Sequence, residues 1–217
     1  NIGGLMTSGP EDAIYDSFLE KTITEPGHSK ARTFGYSLAN SVIDAFNENS
    51  FVPSPDPTIT FSALEVELGI ENFMLSMGTL LGVVDSSPQF HLTPPFIRYL
   101  SEVAFIQLGD ATITGIPGEL YPEIAVGGIE SPKGADFAIE PQEVPPLRGQ
   151  LPGKLNLMVN LANDAIGYII PKSEWDKDAP WIYDEAEETY GEVVSLGPNT
   201  APIIHQTVIK LAEESKP

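Results

Sequence analysis

The sequence predicts an α/β fold, a mixed sheet with flanking helices, and three observations carry that expectation. Val103–Glu123 (VAFIQLGDATITGIPGELYPE) holds two β-rich apolar runs, parted by Gly109-Asp110 and ended by Pro117-Gly118. That is the pattern of a tight hairpin. Asn156–Pro171 (NLMVNLANDAIGYIIP) is a further apolar strand running into Asn163-Asp164 and then Gly167-Tyr168. Two other stretches repeat apolar residues at helical spacing. Ser29–Phe46 sets Phe34, Leu38, Val42 and Ile43 or Phe46 on one face, and Ala201–Leu211 turns Ile203, Ile204, Val208 and Leu211 inward.

The remaining elements follow in order. Pro10–Lys21 is polar and acidic, a surface excursion. Ser29 is placed to cap the first helix, and Asn47–Asn49 to stop it. Pro53–Pro57 is a connector, and Thr58–Leu68 alternates as a strand. Ile70–Val84, rich in Met, Leu and Gly, is a helix or an irregular apolar segment, with Met74 and Met77 expected in the core. Ser86–Pro95 is a loop. Leu120–Val126 starts a helix behind the Pro-Gly turn. The Gly, Pro and acid content of Ala125–Gln150 predicts a long mobile loop. Lys172–Asp184 is a polar insertion, Glu185–Tyr190 a short helical turn, and Ser195–Pro198 a turn before the last helix.

Composition bounds the function. A chain of 217 residues can bury a sizeable core, which predicts a single domain or a domain fragment over residues 1–217. Eleven Lys and Arg against 31 Asp and Glu give a formal charge of −20. Such a field repels phosphate backbones and anionic lipid, so nucleic-acid binding is not expected. The same acidity suits a secreted or periplasmic protein. With no cysteine, disulfides and thiolate metal sites are excluded, and a metal would have to be held by His, carboxylate, Tyr or carbonyl oxygen. No apolar run is long enough to span a bilayer. Asn1-Ile2-Gly3-Gly4 lacks the features of a signal peptide and reads as an interior turn of a longer fold. Asn1 also argues against an amino-terminal nucleophile hydrolase.

Glu119 is the candidate with most chemical interest. It follows the Pro-Gly turn at the end of an apolar strand, a rigid support from which a carboxylate can ligate a metal or act in catalysis. Its spacing equally fits a solvated turn acid or a first-turn helix charge. Tyr168 and Tyr190 likewise fit amphipathic residues at a core edge. His28 and His91 are each open to a ligand reading but more simply solvated or capping, and His205, on the final helix, is structural.

Three blocks share an order and approximate spacing with a known family. They are the strand and Pro-Gly-Glu turn ending at Glu119, the NLAND-x-IGY-x-x-P segment containing Tyr168, and Tyr190-Gly-Glu followed by Ser195-Leu-Gly-Pro. Together they resemble the neutral (non-lysosomal) ceramidases, well over the second half of the chain and loosely over the first. The resemblance implies the carboxy-terminal part of a larger zinc-hydrolase catalytic domain, without an immunoglobulin-like tail. It implies Zn²⁺ held by Glu119 and Tyr168, together with two histidines on an upstream amino-terminal segment. It also implies that Tyr190 donates a hydrogen bond to the carbonyl under attack, and that the region of Ile70–Val84 lies near a substrate entrance. Glycine stands at Gly3-Gly4 where the family carries a serine near the scissile amide, which favours metal-activated water. The implied activity is hydrolysis of an N-acyl amide, ceramide or a related lipid amide of sphingolipid metabolism. The alternatives are a non-lipid amidase or esterase and a catalytically silent relative that keeps the fold.

Overall fold

The structure is a computed structural model that describes residues 13–48, 58–84, 88–187 and 190–215. The Gly3-Gly4 turn and the Pro53–Pro57 connector lie outside the described residues. The chain divides into two compact units, Gly3–Pro55 and Asp56–Pro217.

In the smaller unit, β1 (Ile14–Asp16) and β2 (Lys21–Ile23) form an antiparallel hairpin, followed by α1 (His28–Asn47). Asp16, expected on a surface excursion, is buried. One of its oxygens accepts the amides of Phe18 and Leu19 at 2.9 Å each, and the other accepts the Thr33 hydroxyl. The Thr33 hydroxyl, then the turn amides, hold its carboxyl below the usual carboxylate range. The helix starts at His28, one residue before the expected cap Ser29; its cap position is Gly27, with φ 150°, and no side chain caps it. Its buried residues are Lys30 and Thr33. Phe34, Leu38, Val42 and Ile43, expected on the inward face, are exposed.

The larger unit is built on a mixed five-stranded sheet. It contains β3 (Ile59–Gly69), β5 (Ile97–Leu108), β6 (Ala111–Gly115) and β8 (Leu155–Val159) in that order, with β4 (Pro88–Phe90) paired to the start of β5. The predicted hairpin is present: β5 and β6 are antiparallel, and Leu108 pairs with Ala111 across Gly109-Asp110. Gly109 has φ 52°, the left-handed conformation that a two-residue hairpin loop needs. β8 then adds to β6 in parallel, Ile113 opposite Leu157.

Strand pleating sorts these residues into two faces. Leu64, Val66 and Leu68 of β3 and Val103 and Phe105 of β5 turn to one face, which α5 (Thr200–Glu214) covers with Ile204, Val208 and Leu211. Those three α5 residues are inward as the spacing predicts, and Ile203 packs partly buried beside them.

Several expectations are corrected. Ile70–Val84 does contain a helix, α2 (Phe73–Leu80), capped by the Asn72 side chain, which accepts the Leu75 amide at 3.1 Å. However, Met74 is 73% exposed and Met77 38%, so neither is a core residue. Only Ser76 and Thr79 interrupt the apolar run, and Thr79 is the one helix residue that is buried; periodicity therefore could not say which side faces in. The Ser86–Pro95 loop includes β4. Ala125–Gln150 is irregular, as expected, apart from the end of α3 (Pro122–Val126) and a 3₁₀ turn at Leu147–Gln150, and hydrogen bonds tie it to 172–174. Ser173 Oγ donates to Glu130 O at 2.7 Å, the Glu130 amide donates to Glu174 at 2.8 Å, and the Lys172 amide donates to Glu143 at 3.1 Å.

No helix among the described residues is long and apolar enough to cross a membrane. Leu68 is fully buried under α5. Leu68→Ala is expected to lower unfolding free energy by about 2–5 kcal/mol in denaturant titration. Met74→Ala is expected to change it by less than about 0.5 kcal/mol.

Candidate functional site

The site grows from the carboxyl ends of the parallel pair β6 and β8. Beyond Gly115 the pairing continues out of the sheet. Ile116 N–H donates to Val159 O at 2.9 Å, Ala162 N–H to Ile116 O at 2.9 Å, and Leu161 N–H to Gly118 O at 3.1 Å. The two segments then run side by side again as β7 (Glu119–Leu120) and β9 (Tyr168–Ile169), parallel, with Glu119 the register partner of Tyr168. Glu119 N–H donates to Gly167 O at 2.9 Å and Tyr121 N–H to Ile169 O at 3.1 Å. Register partners in a ladder turn their side chains to one face, on strands about 4.8 Å apart.

The glycines of the two motifs explain how the segments come so close. A Cβ on Gly118 would sit 2.5 Å from Gly167 O, and one on Gly167 would sit 1.9 Å from Val194 O. Gly167 also has φ +90°, which L side chains rarely adopt. Pro-Gly-Glu and Gly-Tyr are thus packing motifs as well as carriers of a carboxylate and a phenol.

Tyr190 opens α4 (Tyr190–Val193). Its ring meets that of Tyr168 edge-on, centroids 5.8 Å apart and planes at 69°. Tyr168 is buried, Glu119 half-buried, and Tyr190 63% exposed. The Ser195 hydroxyl lies 2.9 Å from Tyr168 O and 2.7 Å from Gly191 O, fastening α4 to β9. All three sequence-predicted residues therefore stand together. Glu119 is neither a helix first-turn charge, since α3 begins only at Pro122, nor a fully solvated acid.

In the larger unit the histidines stand elsewhere. His91 pairs with Glu67. His205 is buried, its Nε2 2.9 Å from Pro145 O, in keeping with a structural role. His28 begins α1 in the other unit and is exposed.

Sequence reasoning missed two further parts. The Tyr121 ring also meets that of Tyr168 edge-on, centroids 6.2 Å apart. Burial, then the negative charges of Glu192 and Glu123, push its hydroxyl far above the ordinary tyrosine range, so it stays protonated. Only its position two residues beyond Glu119, on the same side of a strand, signalled this. The second part is a set of buried acids. Glu143 is fully buried and Glu174 is 9% exposed. Burial first, then repulsion from Glu123, Glu130 and Glu143, pushes the Glu174 carboxyl up to about 7, against the Glu130 amide that favours its charged form.

The excursion between β8 and β9 is held by Asp164, which accepts Tyr99 Oη at 2.9 Å and Ser101 Oγ at 2.8 Å. Asn163, at φ 70°, donates to Glu102 at 3.0 Å. The Asn-Asp of the motif therefore anchors the loop that delivers Tyr168. A groove of about 270 Å³ lies between the start of α2 and α4, rimmed by Phe73, Met74, Trp175 and Val193.

The donor chemistry suits zinc in part. A carboxylate and a phenol are hard oxygen donors on one face of one ladder, but a zinc site normally uses at least three protein ligands. Among the described residues no group of three or more His, Cys, Asp or Glu could hold a metal. Among the described residues this ladder therefore offers two donors, Glu119 and Tyr168.

No protein-family model matches the sequence, and no curated protein matches it. Among solved structures, the neutral ceramidase of Pseudomonas aeruginosa aligns with a TM-score of 0.38 and 12% sequence identity. The alignment covers 71% of this chain and 29% of that one.

Two outcomes are expected here. Gly167→Ala forces a methyl onto a carbonyl at a left-handed position and should cost more than about 2 kcal/mol in denaturant unfolding. The second concerns pH. The folded-state value of Glu174, about 7, lies above its ordinary 4.5. Between those values the unfolded chain has lost a proton that the fold retains. Stability is therefore full below pH 4.5 and declines as pH rises to about 7, by roughly 2–3 kcal/mol from this group. Glu174→Gln should flatten that slope in urea titrations at pH 5 and pH 8; an unchanged slope would assign it to other groups.

Proposed function

We propose that this chain supplies part of the active site of a zinc-dependent hydrolase of N-acyl amides, with ceramide or a related lipid amide as the leading substrate. The observation that carries the reading is the register pairing of Glu119 with Tyr168, with the Tyr190 ring edge-on against the latter. Three residues named from separate sequence blocks meet at one end of one ladder. Glu119 and Tyr168 would be two of the zinc ligands, and two ligands with bonds of about 2 Å on one ion fit neighbouring strands. The ion, when bound, would acidify water and polarise the acyl carbonyl.

The chain's own residues do the rest. Glu119 contributes the formal negative charge that offsets a dication. The Tyr168 ring makes edge contacts with both Tyr121 and Tyr190, which restrict its direction. Tyr190, on an exposed helix start, is placed to donate its hydroxyl to a substrate oxygen. Tyr121 keeps its proton and adds no charge. The apolar rim at Phe73 and Met74 offers surface to an acyl chain. The remaining ligands, by the family resemblance two histidines, would come from an upstream segment of the complete protein, and the acidic composition suits a secreted or periplasmic setting.

Residues 1–217 alone are expected to bind zinc weakly and to be inactive, and joining them to the upstream segment should restore both properties. Glu119→Gln keeps side-chain volume and removes the charge. In the complete protein it should abolish hydrolysis and lower zinc content, measured by elemental analysis, without changing thermal unfolding. Tight stoichiometric zinc binding by residues 1–217 alone would assign the metal to other residues. Comparing ceramide with short acyl amides separates a lipid amidase from a non-lipid one, and a complete protein without zinc would be the silent relative.

A further inference from the structure

Two segments of the larger unit, 128–145 and 172–183, are joined mainly through carboxyl groups. The Glu130 amide donates to Glu174 Oε1, the Lys172 amide to Glu143 Oε1 and the Lys177 amide to Asp136 Oδ2. The Tyr183 hydroxyl donates to Glu130 Oε2 at 2.9 Å. Ser173 Oγ to Glu130 O and Asp136 N–H to Trp175 O complete the contact. Within the second segment the buried Asp176 accepts the Ile182 amide at 2.7 Å.

What the contact lacks is a cation. Glu123 of α3, Glu130 and Glu143 all act on Glu174, and among the described residues none of the four forms a salt bridge. Glu143 is fully buried, and its Oε2, like that of Glu123, has no hydrogen-bond partner among the described residues. Lys172 Nζ is turned to Asn199 Oδ1 at 2.8 Å and lies over the Phe137 ring. Lys133 lines the groove that Glu130 and Tyr183 share. His205 of α5 meets the first segment at Pro145 O. The phenols that feel the charge of Glu174 are those of Tyr121 and Tyr183. The contact also borders the candidate site. Trp175 is buried in one apolar cluster with Tyr168 and Ile170, and Phe137, from the opposite segment, packs against that cluster.

We propose that 128–145 and 172–183 form a pH-sensitive clasp beside Tyr168, closed while Glu174 holds a proton and released when it ionises. Protonated, Glu174 accepts the Glu130 amide and adds no charge to the cluster. Ionised, it stands among other carboxylates with one backbone donor, and water solvates it better than the closed contact does. Burial, then repulsion from Glu123, Glu130 and Glu143, pushes its carboxyl from 4.5 up to about 7 against that donor. The closed form is therefore lost as pH rises between those values, with a plateau above. A carboxyl so shifted raises the opening equilibrium roughly 50- to 100-fold between pH 5 and pH 8. Opening draws Trp175 and Phe137 away from Tyr168. The clasp rests on these contacts alone; only its bearing on hydrolysis rests on the function proposed above.

Hydrogen exchange of the complete protein, read by mass spectrometry and corrected for the intrinsic rate at each pH, tests this. Amides of 128–145 and 172–183 should exchange well ahead of Val103–Gln107 at both pH 5 and pH 8, the mark of local opening. Their protection should fall between the two by the factor above. Glu174→Gln keeps an oxygen for the Glu130 amide but cannot ionise, so both segments should stay protected at pH 8. Tyr183→Phe removes one link and leaves Glu174 in place. It should lower protection a few-fold at both pH values and keep the ratio between them, and it decides the matter should Glu174→Gln fail to fold. Equal protection at pH 5 and pH 8 would overturn the proposal, and so would protection matching that of Val103–Gln107, since the segments would then open only with the whole unit. A pH response that persists in Glu174→Gln would belong to another group, such as His205, and overturn it too. None of these readouts involves zinc or activity, so a protein that holds no metal would sink the hydrolase reading and leave the clasp standing.

Discussion

Close approach of two backbone segments at Gly118 and Gly167 is the constraint on which the site depends. Parallel strands cannot be joined by a tight turn, so Glu119 and Tyr168 reach each other only after the chain has travelled through α3, a long loop and β8. What holds the end of that path is a short ladder: Ile166 to Pro117 O at 3.0 Å, Glu119 to Gly167 O, and Tyr121 to Ile169 O. It closes only because neither glycine carries a Cβ. Gly167 also lies against Val194 O, so the same absence of a side chain seats the segment that follows α4. One steric condition thus sets the separation of carboxylate and phenol and the placement of Tyr190.

The elements legible in the sequence were those whose signal is local. Alternation on both sides of Gly109-Asp110 specifies a hairpin and its register together, and both are present. The final helix was equally plain, because Ile204, Val208 and Leu211 recur at helical spacing beside polar residues. α2 defeated the same reasoning: in FMLSMGTL the small hydroxyls Ser76 and Thr79 mark the side that turns in, so composition predicted burial where the unit leaves Phe73 and Met74 in water. The strand at Ile59–Gly69 was legible as a strand but not as two faces. Its apolar residues change sides between Ala63 and Leu64, and only the partner strands show which side α5 covers.

The site was legible to a different degree. Glu119, Tyr168 and Tyr190 each had an ordinary explanation by spacing, and it was the order of three blocks that singled them out. Their meeting depends on long-range pairing that no local pattern encodes. The buried acids were invisible for a related reason. Glu143 and Glu174 sit in Gly- and Pro-rich or polar segments that read as solvated. They are buried because 172–177 folds back onto 128–145, with the Lys177 amide donating to Asp136 at 2.6 Å and Asp136 N–H to Trp175 O at 3.2 Å. A loop that looked mobile by composition is therefore tied at several points by carboxylates accepting backbone amides.

These acids also shape the environment of the site. Glu123, Glu174 and Glu192 all raise the Tyr121 hydroxyl, so the ground around Tyr168 is electrically negative before any ligand arrives. Such a field favours a cation and disfavours an anionic substrate. A neutral amide is indifferent to it, which matches the substrate class proposed above. Elsewhere in the larger unit the acids find local partners: Glu67 pairs with His91 and with Arg98 at 3.5 Å, and Glu102 accepts the Asn163 amide at 3.0 Å. Around Tyr121 the neighbours that act on its hydroxyl are carboxylates and another phenol, so the negative field is strongest where Glu119 and Tyr168 meet.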